Sequence, residues 1–425
     1  MKVKLFLASV LLLAGANLAA QEFQTAYFLD NYTFSYRLNP AAQAFEDDMN
    51  GFFGIGIDNI NVAARTNTGV SNFLFPYDGK LVLGLNENIT SEQFLGGLKP
   101  EISAMVNLNM NVFSFGGKTF NGTRTTGAWN FEVNLKSNDA VNIPKEVFSV
   151  LKDGTSAVQT VKTGSVHSRT YLEAAFGYSR KFLDDKLSVG LKAKFLVGLA
   201  GAQASVTSLD FVGPSGSIDV NGSFNADLAV NAIDFMDANG KFKDVTFAGV
   251  KPSGFGVGFD IGGVYKINDK IEVSAAVLDL GAISWDCSVT GNAVVNSSAD
   301  NNEYVKFPTS AAKVSNPLPT TFNFAGRYKI NDMFDAGAIA TFKTGTFGWN
   351  EFRAGANFTP GKVFSMALSG GVNSYGGVFG FALNLVAGPI NLFAGVDNLV
   401  TQFTPQFLPV NPLNTNITLG LVIRL

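Results

Sequence analysis

Apolar residues in this chain recur at every second position, and beyond residue 20 no apolar run is long enough to cross a membrane as a helix. Val106, Leu108, Met110 and Val112 alternate with Asn107, Asn109 and Asn111. Leu187, Val189, Leu191, Ala193 and Phe195 alternate with Ser188, Gly190, Lys192 and Lys194. The same period runs through Phe255 to Ile267, Phe322 to Ile330 and Ile417 to Leu425. Successive strand side chains point to opposite faces, so each segment has one greasy face and one polar or tiny face. Segments of about ten residues with this alternation mark a transmembrane antiparallel β-barrel. Leu191 is then expected to face lipid and Lys192 the lumen.

Composition agrees and removes other classes. Charged residues are 15% of the chain, against roughly 25% in a soluble protein, while hydrophobic residues reach 46% with 39 Phe and 45 Gly. A net charge of −3 without a basic cluster argues against nucleic acid, which needs a concentrated Lys/Arg footprint. One Cys and one His build neither a Cys/His zinc site nor a disulfide within the chain. So few charges beside so many Phe also exclude a disordered chain.

The first twenty residues read as an address. Lys2 and Lys4 precede the apolar run Leu5 to Leu13, and Ala14 to Ala20 supplies small residues before Gln21. This is the pattern of a secretory signal peptide, 1–20, cleaved after Ala20. Its core is shorter than the roughly 18 residues of a membrane anchor, and no Cys near the junction suggests a lipoprotein. The expected location is the outer membrane of a Gram-negative-type bacterium. Outer-membrane lipid and the barrel assembly machinery are the expected partners.

Turn chemistry sets the topology. Tyr178 to Leu187, Tyr265 to Ile271 and Tyr328 to Phe334 each place an Asp-Asp or Asn-Asp pair between two alternating runs, as a tight hairpin does. Thr359 to Lys362 and Ala387 to Pro389 do the same. Strands follow near 52–64, 103–115, 128–135, 169–182, 186–200, 255–267, 270–287, 321–330, 335–347, 351–358, 363–371, 377–386, 389–396 and 416–425. That is about fourteen, with all five turns at one end. The barrel would occupy 51–425, with long outer loops at 65–102, 136–168, 201–254, 288–320 and 397–415. The Gly/Ser/Asp-rich stretch 201–254 leaves room for a further hairpin.

Residues 21–50 precede the first strand with Phe23, Tyr27, Phe28, Tyr32, Phe34, Tyr36 and Phe45 among Asp30, Arg37, Glu46, Asp47 and Asp48. The segment is too aromatic for a free tail and too irregular for a strand in lipid. Eight strands already suffice for a packed interior, so fourteen enclose more space than their own side chains fill. A lumenal plug is expected, with Asn39, Pro40 and Ala41 at an extended turn that Pro40 enforces on Asn39. The alternative is a tail packed on the periplasmic rim.

The segment Ser253 to Tyr265, followed by Lys270 to Trp285 with Leu278-Asp-Leu-Gly281, resembles the fatty-acid-transporter-type (FadL/PorV-like) barrels. More closely it resembles an uncharacterised group of them, catalogued as a domain of unknown function. Leu38-Asn39-Pro40-Ala41 is similar to the Asn-Pro-Ala element of that superfamily. The resemblance covers most of the mature chain. It implies fourteen strands and an N-terminal plug. Better-known members carry hydrophobic compounds across the outer membrane and others are secretion-system accessories. The final Leu425 departs from the usual terminal aromatic, although Ile423, Arg424 and Leu425 keep the alternation.

Other motifs carry little chemistry. Gly254-x-Gly256-x-Gly258 lies inside an alternating strand with no helix after it, so close backbone approach, such as to a plug, outweighs phosphate binding. Asp237-Ala-Asn239-Gly240 lacks the outer ligands of a calcium loop and reads as a surface turn. His167, beside Ser165 and Ser168, has no oxyanion-hole motif and reads as a solvated loop residue. No enzyme, cofactor or metal site is expected.

Two loop segments read as helices. Thr90-Ser-Glu-Gln93 is a capping box that places Phe94, Leu95 and Leu98 on one face. Pro144 begins a second helix with Val147, Phe148 and Leu151 on one face, and Asp153-Gly154 ends it. These six residues either pack on each other over the barrel mouth or form a hatch that captures an apolar ligand. The chain therefore reads as a passive conduit for hydrophobic small molecules, or as a non-transporting barrel that is structural or binds a partner.

Overall fold

A computed structural model describes residues 23–45, 49–249, 251–297, 304–346, 348–398, 402–406 and 410–425. The expected signal peptide lies outside them. Alternation closes on itself as fourteen antiparallel barrel strands. In chain order these are β1 (Gly51–Gly69), β2 (Glu101–Asn121), β3 (Arg124–Pro144), β4 (Ser165–Phe182), β5 (Leu187–Pro214), β6 (Gly254–Lys266) and β7 (Ile271–Cys287). The second half holds β8 (Thr321–Lys329), β9 (Phe334–Lys343), β10 (Trp349–Phe358), β11 (Phe364–Asn373), β12 (Gly376–Ala387), β13 (Ile390–Asp397) and β14 (Pro412–Arg424). Each barrel strand pairs with its sequence neighbour, and β14 returns to β1 with Arg424 opposite Phe52 and Leu419 opposite Ile60. Closure leaves no unpaired sheet edge within the wall, as a membrane interior demands.

Faces sort as the alternation requires. Val189, Leu191, Phe195, Phe255, Val257, Phe259 and Ile261 are exposed on the outside, whereas Ser188, Lys192, Lys194 and Asp260 are buried within. The five expected turns share one end with the start of β1 and the end of β14. A sixth, between β2 and β3, turns at Gly122 with φ +61°. Leu183, Asp184 and Asp185 all take positive φ in the β4–β5 turn. There Arg124 Nε donates to Asp185 at 3.1 Å, and that hydrogen bond holds the carboxyl below its ordinary range.

At the other end the strands run well past the expected loop boundaries. β3 continues to Pro144, and β5 is 28 residues long. Strand Asp219–Ala229 pairs with the upper part of β5, Gly201 opposite Ala229, and strand Val289–Ser297 pairs with its far side. A small hairpin, Ile233–Met236 with Phe242–Phe247, follows. Beyond the continuation of β5 to Pro214, the stretch 201–254 thus builds a raised sheet at this end and adds no further wall strand, so the barrel count stays at fourteen. Its composition looks like a loop because strands above the bilayer have no lipid-facing side and need no greasy alternation.

The helices form where the capping signals lie. Helix α1 (Ser91–Gly96) has the capping box, with Thr90 and Gln93 satisfying each other's backbone N–H groups. Helix α2 (Lys145–Asp153) begins after Pro144 and stops at Gly154, φ +69°.

Candidate functional site

The lumen is occupied by residues 23–45. Three short 3₁₀ turns, Gln24–Phe28, Ser35–Arg37 and Ala42–Phe45, keep this segment's backbone partly self-satisfied. Its rings make an apolar cluster with wall residues: Phe23, Phe28, Tyr32, Phe34 and Tyr36 pack with Phe52, Ile339, Phe393 and Val422. Phe34 lies edge-on to Phe393 and Phe52 at 5.5 and 6.1 Å between ring centres, and Tyr36 stacks on Phe52 at 6.0 Å.

Polar groups of the segment meet the polar wall. The backbone N–H of Gln24 donates to Asp397 Oδ2 at 2.8 Å, and Thr25 bonds Asp397 and Ser369. Asp30 accepts from Arg327 and, at 2.8 Å, from Asn357 Nδ2. Thr33 Oγ1 donates to Asn391 at 2.7 Å, and Asn130 donates to Gln43 at 2.8 Å. These contacts fall on strands all round the barrel, so the segment is seated in the lumen rather than laid on one wall.

Asn39, Pro40 and Ala41 occupy the tightest seat. Asn39 Nδ2 donates to the carbonyls of Gly263 and Ala275 at 3.1 and 3.3 Å, while its Oδ1 accepts from the Ala41 N–H at 3.0 Å. Ser188 Oγ donates to the Ala41 carbonyl at 2.8 Å, and Asn323 Nδ2 to that of Leu38 at 2.9 Å. Beneath them Gly190 and Gly262 stand directly opposite each other on β5 and β6. A Cβ on Gly190 would lie 2.4 Å from the Pro40 carbonyl carbon, and one on Gly262 would lie 2.1 Å from Asn39 Oδ1. Gly190 leaves room for the backbone of Pro40 and Ala41, and Gly262 for the Asn39 side chain and the Pro40 ring. The series Gly254, Gly256 and Gly258 is different: a Cβ there would meet β7, Leu318 or Lys194, and not the inner segment. Close approach is the right reason for the first two, but the approaching chain is the neighbouring strand.

Buried charge surrounds this seat. Glu132 accepts from Arg37 Nη2 at 2.8 Å, Lys192 Nζ at 2.7 Å and the Tyr36 hydroxyl at 3.2 Å. Arg37 also lies over the Phe34 ring, and Lys192 over that of Tyr36. Further out, Lys194 contacts Asp260 at 2.6 Å and Asp279 at 2.5 Å, and Lys136 contacts Glu173 at 2.9 Å. Arg353 bridges Glu351 and Asp397 at 2.8 and 2.9 Å. The alternation does not assemble these groups, although each wall member sits on an inward-facing strand position. The missing information was which strand faces which across the lumen.

The wall has one broken stretch beside the ring cluster. Phe53 pairs with Ile423 and Asn59 with Gly420, so six steps along β1 stand against three along β14. Towards β2, Ile55 pairs with Phe113 and Asn59 with Asn111, four steps against two. Gly56 sits at φ +86° in this bulge, and Ile55 is exposed. Both ladders that flank β1 are interrupted here.

The six outer helix residues are divided between two buried clusters. Phe94, Leu98 and Phe148 pack with Ile89 and Ile102, and Leu95 borders them. Val147 and Leu151 pack with Val150, Val161, Phe211 and Val220. The Phe94 and Phe148 rings meet edge-on at 6.1 Å, and Ser91 bonds Asp153 between the helices. The faces therefore pack on each other and on the outer sheet in this structure. His167 lies in β4 opposite Ala140 and Gln203, not in a loop. Asp237 accepts from the N–H groups of Asn239 and Lys241 at 2.8 and 2.9 Å, the geometry of a local turn.

A family of unknown function, DUF5723, matches residues 40–397. The chain belongs to this family. No curated protein matches this DUF5723 member. Among solved structures it is similar to the toluene transporter TbuX of Ralstonia pickettii, at 9% identity and TM-score 0.49, over 96% of this chain and 99% of that one. A FadL homologue from Pseudomonas aeruginosa gives 10% identity and TM-score 0.49, over 96% and 98% of the two chains. The toluene transporter TodX of Pseudomonas putida gives 10% and 0.46, over 96% and 98%.

Proposed function

We propose that the protein is an outer-membrane barrel that passes hydrophobic small molecules passively, with residues 23–45 as the plug that holds its lumen shut. The break in β1 carries this reading. Its near end adjoins Phe52, whose ring packs with Phe34 and Tyr36 of the inner segment, so rings lie inside the wall beside the break, with the buried Asn59 and Asn111 at its far end. Elsewhere the lumen is lined by Asn, Lys, Asp and Glu, which would charge an apolar solute the full cost of leaving lipid-like surroundings. Movement of the inner segment's rings beside an interrupted ladder would let such a solute leave sideways into the membrane. The long loops lie at the end away from the short turns, the arrangement in which loops face outward and turns face the periplasm.

Uptake of toluene and of a long-chain fatty acid tests the reading, in cells that carry the protein and in cells that lack it. Faster uptake of either compound by the carrying cells is expected. Equal rates for both would remove the conduit and leave the structural or partner-binding barrel.

A further inference from the structure

Above the inner segment the lumen holds a small cavity of about 40 Å³ whose lining is mostly polar. Lys136, Lys343, Trp349, Asn109, Asn323 and Gln24 are among the residues around it. Two lysines and one carboxylate line it. Asp279 is that carboxylate, held by Lys194 at 2.5 Å, and Asp260 shares Lys194 with it at 2.6 Å. Lys136 is matched by Glu173 at 2.9 Å. Lys343 forms no ion pair among the described residues.

Two more donors lie at the cavity or beside it. Trp349 stands opposite Lys343 in the β9–β10 ladder, so both side chains share the inner face. Its indole N–H is buried and has no acceptor among the described residues. Arg65 reaches across from β1 and lies over the Trp349 ring at 4.9 Å. Its guanidinium is buried, and its Nε and Nη1 also lack acceptors. Buried donors left unpaired are costly, and an uncompensated buried charge more so, unless an ion or water completes them.

We infer that this cavity is a binding site for one small anion, with Lys343 supplying charge at its lining, Arg65 adding charge from beside the Trp349 ring, and Trp349 offering an unpaired N–H. The ligand class is a compact anion of halide to phosphate size. Leu278 and Pro319 are the main apolar lining, too little to bury a hydrocarbon tail. The site goes beyond the conduit reading and stands whether or not apolar compounds cross the wall.

Iodide is both ligand and reporter, because it quenches tryptophan. The chain has 3 Trp, so Trp129→Phe with Trp285→Phe leaves Trp349 as the sole tryptophan, read by excitation at the red edge where Tyr does not absorb. In detergent-solubilised full-length protein, iodide should quench Trp349 at least about threefold more strongly than caesium, through its raised local concentration. Phosphate should compete. Lys343→Gln should weaken phosphate binding about tenfold, as loss of one charge-assisted contact does, and Lys343→Arg should restore it. Equal quenching by iodide and caesium would overturn the site. If the double Trp variant does not fold, calorimetric titration of phosphate into wild type and Lys343→Gln decides, and absent or unchanged binding overturns it.

Discussion

Glu132 shows how a single lumenal position ties wall to plug. It takes hydrogen bonds from Arg37 on the inner segment and from Lys192 on β5, with all three side chains almost wholly buried. The alternation places Lys192 inward but treats that face as forgiving, so from sequence Lys192→Leu is expected to be milder than Leu191→Arg. The structure reverses that expectation, because the substitution strands part of the charge of a buried carboxylate. Removing one partner of such a pair costs roughly 3–5 kcal/mol. Leu191→Arg puts a charge into lipid at a cost of roughly 2–4 kcal/mol. We therefore expect both variants to lower the midpoint of the heat-dependent gel shift, and an unchanged midpoint for Lys192→Leu would show that Glu132 is not held as described. Glycines give a sharper contrast. Gly190→Ala drives a methyl into the backbone at Pro40, whereas Gly263→Ala meets nothing nearer than 3.7 Å. Limited proteolysis should cut the inner segment of the first variant and spare the second. Equal protection would mean that Pro40 does not rest on β5. The alternation already turns Gly190 inward and Gly263 towards lipid, but which backbone meets Gly190 across the lumen is not visible in it.

At the scale of elements, the strands and turns were legible because lipid enforces the alternation and the tight turns need Asn, Asp or Gly. All fourteen strand positions follow from that rule, down to the turn at Asp184-Asp185. Legibility stops where lipid stops. Strand Asp219–Ala229 pairs along the upper part of β5 and is solvated like any soluble sheet, so its Gly, Ser and Asn look like a loop. The helices were visible through Thr90, Gln93, Pro144 and Gly154, which are local signals. Their mutual packing was not, because it depends on how two loops fold over the same mouth. Phe148→Ala removes the ring that Phe94 and Phe73 contact. Truncating a buried Phe costs roughly 3–5 kcal/mol within its own cluster. The expected outcome is faster protease cleavage in the outer loops with the barrel's gel shift unchanged. A lowered shift would show that the outer cluster is part of the barrel's cooperative unit.

For the whole molecule, the decisive relation is between a closed wall and the chain inside it. The barrel's ladders run from β1 round to β14 without using residues 23–45, and Phe52 closes directly on Arg424. The wall's hydrogen bonding therefore does not require the segment. The segment does fill the space that fourteen strands enclose and their side chains leave open. Its removal would expose Asp397, Arg327, Glu132 and Asn391 to water, which solvates them in place of Thr25, Asp30, Arg37 and Thr33. Deleting residues 24–45 should thus yield a folded barrel with a wet lumen. Reconstituted into planar bilayers, it should conduct ions well above the intact protein, and dye-loaded vesicles carrying it should leak. The gel shift separates failure to fold from failure to open. A deleted barrel that keeps its heat-dependent shift and conducts no more than the full chain would show that residues 23–45 are not what keeps the lumen closed.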